Sequence, residues 1–541
     1  MRRVNSLSIA LLACFVAVPA HAVDWYVSPS GTATSGCTTR ATPCSLASAA
    51  AAAVAGDTVY LTTGSYRESL YVANTGTEAA PITFKADQCA TPILESLTSV
   101  DADQTTAVHS QTAEYLVFEG IVVRGWSTGF GNRWADGTNS SEVSNGHWKI
   151  KHCISYSNGR TGFTFFSGPS YELRNSISAH NGTSTEHSWS SGVTLFETTG
   201  TNLVEGVVSF ENTDEQKHSD GSGFIVDEGA NGATFINNIA FGNSGSCLRL
   251  TRSTGTTFLN NTCYHNSQFG SQATNPTNPG ELYFTNAGET ILGVNFANNV
   301  VVGTGIAPAG SPVIEDQPTS GWTTNVVSTG ATTVFTDPDG TNPDFTLSAS
   351  ATALIGKGTA VTGVPAADIG FDPKCIVKRA PTMFGMVSAL PRWQYDIDID
   401  YVIAKGGVAK CFNAGTRAGT PDIGAYKNGA VSAVESCVPL PVGGSGGAGG
   451  ASSGGASSSS GSGGVTAAGA TSSGSGSGGV SAAGATSAGA GNVAPPASGN
   501  GDDSGGCGCR VASGRGSHLP LALGLFGVVV VGLVRRRRDR A

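Results

Sequence analysis

Charge of either sign is thinly spread along this sequence, and positive charge is the scarcer. Nine of the 30 Lys and Arg residues fall in the two terminal segments, leaving 21 basic against 36 acidic residues between Val23 and Val442. A net charge near −15 over that stretch excludes a nucleic-acid partner held through its phosphates. An acidic substrate would need local cations, from a few basic side chains or from a bridging divalent ion. Long apolar runs are missing too. The longest, Leu519 to Val534, has 16 residues, short of the roughly 20 of a spanning helix unless flanking arginines snorkel to the interface.

Aromatics are absent between Gly443 and Gly506, where 23 of 64 residues are Gly and GGVTAAGATS nearly repeats 15 residues later as GGVSAAGATS. Such a stretch cannot bury enough apolar surface to offset its ordering entropy. That excludes a second folded domain over 443–506 and predicts a flexible Gly/Ser/Ala-rich stalk.

The ends carry signals of their own. Arg2 and Arg3, the apolar stretch from Ile9 to Val18 and Ala20-His21-Ala22 form a signal peptide over 1–22, cut after Ala22. At the other end, Cys507-Gly508-Cys509 precedes the apolar run and Arg535 to Arg538. One reading is a single C-terminal membrane anchor. In the other, the order of the three parts over 507–541 resembles the MYXO-CTERM sorting tail of myxobacterial surface proteins. That resemblance implies a sorting protease cutting near Cys507 or Cys509, and display at a bacterial cell surface or outer membrane, or release from it.

Cysteine must therefore be read for an oxidising compartment. Nine cysteines lie between Val23 and Val442. The odd count leaves at least one thiol free or paired outside the domain; Cys37 and Cys44 are close enough to close a small loop, and the other pairings stay open.

Internal periodicity decides the fold. Aligning KHCISYSNG, LRNSISAHNG, EGVVSFENT, NNIAFGNSG and NNTCYHNSQ puts Asn158, Asn181, Asn212, Asn243 and Asn266 in one column, at intervals of 23, 31, 31 and 23 residues. Tyr156, Ala179, Phe210, Phe241 and Tyr264 lie two positions earlier, and Ile154, Ile177, Val208, Ile239 and Thr262 two before those. Period-two alternation ending in a recurring Asn is a strand that turns a corner. A second strand follows in each repeat, with inward columns Phe163, Val193, Phe224, Leu248 and Phe165, Leu195, Val226, Leu250. Its outward columns read Thr164, Thr194, Ile225, Arg249, Tyr283 and Phe166, Phe196, Asp227, Thr251.

Stacked coils bury the inward columns against one another, and the Asn column satisfies the corners. Leu46 to Ala55 is a short helix former suited to plug the first coil. WYVSPSG, GDTVYLTTGSYRES, APITFKA, the NNxxxxN coils, DFTLSASATALIGKG and PDIGAYK together resemble the right-handed parallel β-helix superfamily, especially its pectate-lyase-like members. The resemblance spans roughly residues 25 to 427 and implies an all-β solenoid over 23–442, monomeric, acting on extracellular polysaccharide.

Two coils are eight residues longer than the basic one, with the excess between Asn181 and Gly192 and between Asn212 and Gly223. Equal coil lengths align these insertions residue for residue: Glu186 with Lys217, His187 with His218, Ser188 with Ser219, Trp189 with Asp220. Two readings stand. In one, His187, His218, Lys217, Glu215 and Asp220 are catalytic and Glu186, Trp189, Asp227 and Arg249 bind a sugar chain, since loops on a rigid sheet position reactive groups in reach of solvent. In the other, Glu186 and Lys217 are a solvated ion pair, the histidines are surface decoration and Trp189 folds back over the apolar edge.

For a uronate polymer, elimination requires a neutralised carboxylate and a base for the C5 proton; His187 or His218, titrating nearer neutrality than Lys217, is the better base. SDGSGF (219–224) resembles the Asp-Gly-Phe turn of family nine pectate lyases, which implies Asp220 as a Ca²⁺ ligand. Where those enzymes carry Asp-Asp-Gly one coil later, this chain has Asn243-Ser244-Gly245-Ser246. A glycoside hydrolase would need a carboxylate pair, and Glu186, Glu215, Asp220 and Asp227 supply candidates. A third reading is a non-catalytic surface module that binds polysaccharide or neighbouring cells. YDIDIDY alternates Asp396, Asp398 and Asp400, which on a strand share one polar face that could hold Ca²⁺. It fails the EF-hand pattern at the sixth and twelfth positions, Tyr401 and Gly407.

Overall fold

The computed structural model describes residues 21–101, 105–132, 145–187, 189–268, 280–285, 293–303, 314–315, 321–328, 334–361, 368–379, 394–413, 421–426 and 437. Residues 1–20, the stalk and the tail with Cys507 and Cys509 lie outside them. Among the described residues no helix is long and apolar enough to cross a membrane.

Three parallel sheets of 11, 10 and nine strands hold 30 of the 34 strands among the described residues. One coil places Glu172–Arg174 in the first sheet, Ile177–Ala179 in the second and Val193–Phe196 in the third. The next coil repeats this with Leu203–Glu205, Val208–Phe210 and Phe224–Asp227. Each strand pairs with its counterpart one coil on, so the chain is a parallel β-helix. Right-handed winding is the sense expected for parallel crossovers.

The register is the one the periodicity predicts. Phe163, Val193, Phe224, Leu248 and Leu282 stand in line, as do Phe165, Leu195, Val226, Leu250 and Phe284, and all ten are buried in the main core. Full burial of each such side chain stabilises by about 1.5–3 kcal/mol.

At the corner between the second and third sheets, the amides of Asn158, Asn181, Asn212 and Asn243 each donate to the next Asn at 2.7–2.9 Å. Asn266 ends the row by donating to the buried carboxylate of Glu281 at 2.7 Å. A second row, Asn238, Asn261, Asn299 and Asn325, lines the corner between the first and second sheets. Leaving any of these buried amides unpaired would cost about 1–3 kcal/mol.

The second sheet inverts the usual arrangement. Ser155, Ser178 and Ser209 are buried and donate to the carbonyls of Gly162, Gly192 and Gly223 within the coils at 2.8–2.9 Å. The large residues of the alternation face outward: Ile154, Ile177, Val208 and Ile239, with Tyr156, Phe210, Phe241 and Tyr264, form a separate core with Phe335, Phe345, Phe371, Tyr395 and Tyr426. Segments from 334 to 426 thus cover this face from outside.

The helix forms over Leu46–Ala52, shorter than predicted because Ala53 turns extended. Ser45 caps it through a bond from Ser48 N at 3.2 Å, and Leu46, Ala49 and Ala50 join the main core. Four disulfides, Cys37–Cys44, Cys89–Cys437, Cys247–Cys263 and Cys375–Cys411, fit a secreted chain. The ninth cysteine, Cys153, is buried and free, and burial pushes its thiol up to about 12.

The Asp396, Asp398 and Asp400 reading needs correction. The strand Tyr395–Ile397 stops before Asp398, which caps the helix Ile399–Lys405 by accepting from Tyr401 N at 3.0 Å. Asp396 instead pairs with Arg379 at 3.1 Å. A capping side chain bonded to its own helix does not share a strand face with its neighbours.

Candidate functional site

The two insertions lie side by side, as their equal lengths require. Thr213 N donates to Asn181 O, Glu215 N to Gly182 O and Gly221 N to Ser190 O, at 2.8, 3.1 and 2.7 Å, so the second loop is bonded to the first at both ends. They form a two-layer wall beside the outer face of the third sheet. Ser188 lies outside the described residues.

At the rim, Trp189 is 54% exposed, and the ammonium of Lys217 stands 4.1 Å from its ring centroid. Equal coil lengths align Lys217 with Glu186, but its long side chain reaches diagonally to the indole. Glu186 is exposed, with its N–H on Ser184 Oγ at 3.1 Å. Trp189 and His218 both hold positive φ, 60° and 54°, a region bulky side chains occupy only when the surroundings enforce it.

His187 is buried, and its Nδ1 is 3.1 Å from Nη2 of Arg160, on the preceding coil. Arginine only donates, so Nδ1 accepts and the neutral ring carries its proton on Nε2. Sequence reading missed Arg160 because it sits in the short 23-residue coil, ahead of the insertions. Asp101 anchors the same loop, accepting from Ser184 Oγ at 2.7 Å and Thr185 N at 2.9 Å. The Ser184 bond leads in holding its carboxyl below the usual range.

His218 is half-buried, and its N–H donates to Asp214 O at 2.7 Å. Glu215 is half-buried and accepts from Thr213 Oγ1 at 2.8 Å. Asp214, also missed, organises the loop: its Oδ2 accepts from Ser219 N, Ser219 Oγ and Asp220 N at 3.2, 3.0 and 3.3 Å. Burial, with the Asp220 charge second, pushes its carboxyl up to about 6.

Asp220 and Arg249 are 7% and 4% exposed and are ion-paired with each other. Arg249 also donates to Thr251 Oγ1 at 3.2 Å and Ser219 O at 3.3 Å, with Tyr283 5.8 Å below its guanidinium. Ile225, Arg249 and Tyr283 belong to an outward column, yet each is buried. Asp227 is half-buried beside them; burial pushes it up to about 6, against the opposing pull of Arg249.

The Asp220 carboxylate, which the resemblance assigns to calcium, is thus neutralised by a buried guanidinium. No group of three His, Cys, Asp or Glu converges as for a metal ion among the described residues. This donor set does not fit Ca²⁺. Asp220 and Arg249 brace the wall from beneath, while Trp189 and Lys217 present its accessible edge.

Neither a family model nor a curated protein matches the chain. Among solved structures it is similar to pectate lyase Pel9A, at 17% identity over 64% of this chain and 94% of that one, with a TM-score of 0.42. A rhamnogalacturonan lyase follows at 14% identity, 59% and 91% coverage and a TM-score of 0.35. A lacto-N-biosidase from Eubacterium ramulus shows 11% identity, 57% and 68% coverage and a TM-score of 0.32.

Proposed function

We propose that this chain is an exported polysaccharide lyase, displayed at a bacterial surface on its stalk, that cleaves an acidic polysaccharide by β-elimination. The observation that carries the reading is the edge of the wall. There an exposed indole, the Lys217 ammonium, and a histidine held by Arg160 sit on adjoining coils.

In this reading a sugar ring stacks on Trp189, while Lys217 and Arg160 draw in the uronate carboxylate and stabilise the charge that develops on it. His187 has its Nδ1 lone pair engaged by Arg160, so it serves as an Nε2–H donor to a substrate oxygen. His218 is then the base. It takes the C5 proton; the C–H electrons form the C4–C5 double bond, the C4–O bond breaks, and the leaving oxygen takes a proton from water. With a guanidinium on Asp220, the carboxylate is neutralised by side chains, and activity is expected to survive chelation of divalent ions.

A second reading has its own observation. Asp227, raised by burial to about 6, keeps a proton in mildly acidic solution, as the acid of a glycoside hydrolase would. Incubating the purified protein with a panel of polysaccharides distinguishes them. Ultraviolet absorbance of new unsaturated ends supports the lyase; reducing ends without it support the hydrolase; binding with neither leaves a surface recognition module.

A further inference from the structure

The outer face of the second sheet changes character along the solenoid. One outward column reads Glu95, Arg124, Tyr156, Ala179, Phe210, Phe241 and Tyr264. From Tyr156 onward it is apolar and lies under the cover formed by 334–426. Toward the N-terminus it is charged: Arg67 and Arg124 both pair with Glu95, whose side chain is only 9% exposed. The arginine side chains themselves remain 49% and 37% exposed.

Two guanidiniums on one carboxylate leave a net positive charge, in a domain where positive charge is scarce. Glu95, buried between them, fixes their positions and uses few of their ten N–H donors. Arg124 also donates to the Tyr156 hydroxyl at 2.9 Å. Tyr156 is 7% exposed, and among the described residues nothing accepts its own O–H. Burial raises its pKa above the ordinary value, so the phenol stays a donor. Fixed guanidinium forks beside a phenol donor match the planar, two-oxygen geometry of a carboxylate.

We propose that Arg67, Arg124 and Tyr156 form a second glycan site, which binds the carboxylate of a uronate residue at the margin of the cover, on the outer face of the second sheet. The ligand class rests on the proposed function, whereas the site rests on the second sheet alone. A chain held at two places on the solenoid gains effective concentration at the catalytic edge.

The test uses the full secreted protein carrying Trp189→Ala and Lys217→Ala, which removes the wall's stacking surface and its ammonium, with hexamers of galacturonate or mannuronate as probes in titration calorimetry. One binding event should persist, weaken at least tenfold when the galacturonate hexamer is methyl-esterified, and weaken at least tenfold on adding Arg67→Gln and Arg124→Gln. Tyr156→Phe, which keeps the packed ring, should weaken it several-fold. Absence of binding in the Trp189/Lys217 variant, or binding indifferent to both the ester and the arginine changes, overturns the proposal. Should the glutamine variants fail to fold, Tyr156→Phe and the ester decide it. Cleavage measured in parallel on the unmodified protein reports separately on the lyase reading.

Discussion

Arg160 reaches across one coil to Nδ1 of His187, 3.1 Å away, and so sets which ring nitrogen keeps the proton. Nitrogen-15 shifts should report His187 as the Nε2–H tautomer at neutral pH, and Arg160→Gln should release it to a mixture. Equal tautomer populations in the unmodified protein would remove His187's assigned role as donor.

His218→Ala should lower kcat by about 10²–10⁴ while leaving KM within a few-fold, the signature of a lost general base. An undiminished kcat in this variant would shift the base elsewhere in the wall.

Trp189→Ala should act on binding instead. An exposed cation–π contact is worth about 0.5–1 kcal/mol, and the lost stacking surface adds to this, so KM should rise roughly tenfold with kcat little changed. Denaturant midpoints should hardly move, because the indole is solvent-exposed.

Removing one partner of the buried Asp220–Arg249 pair should be far more damaging. Arg249→Met strands Asp220 beside Asp214 and Asp227, and such breakage costs about 3–5 kcal/mol. Adding Asp220→Asn should recover much of the loss in urea unfolding. A single-variant cost under about 1 kcal/mol would show that the pair is not desolvated.

Glu281 predicts a pH dependence. Burial pushes its carboxyl up to about 8 from an ordinary 4.5, against the pull of two bonds from Asn266. Below 4.5 the group is neutral folded or unfolded, and its full contribution to stability is present. As pH rises, only the unfolded chain ionises, so stability falls until pH passes about 8 and then levels. Glu281→Gln offers one oxygen to both Asn266 donors, as each Asn of the row does, and should flatten that decline in unfolding measured from pH 4 to 9.

The solenoid was legible in the sequence because a coil repeats. Phe163, Val193 and Phe224 recur at coil spacing, each must bury against the next, and the Asn column marks the corner. Equal 31-residue coils likewise foretold that the insertions abut. The pattern was silent about direction on the second sheet. Alternation looks the same whether Ile177 and Phe210 face an internal core or an external one, and residues more than a hundred positions later supply the cover. Asp398 shows the same limit: its alternation suited a strand, but the chain spent it on a helix cap.

By itself, then, the sequence determined which residues share a rung, since rung membership follows from counting along one chain. Tertiary structure decided what each rung meets. Asp220 received the guanidinium of Arg249, His187 received Arg160, and Arg67 and Arg124 converged on Glu95. Such pairings join different coils, and burial makes them matter, because a charge withdrawn from water must find its partner in space and not in sequence.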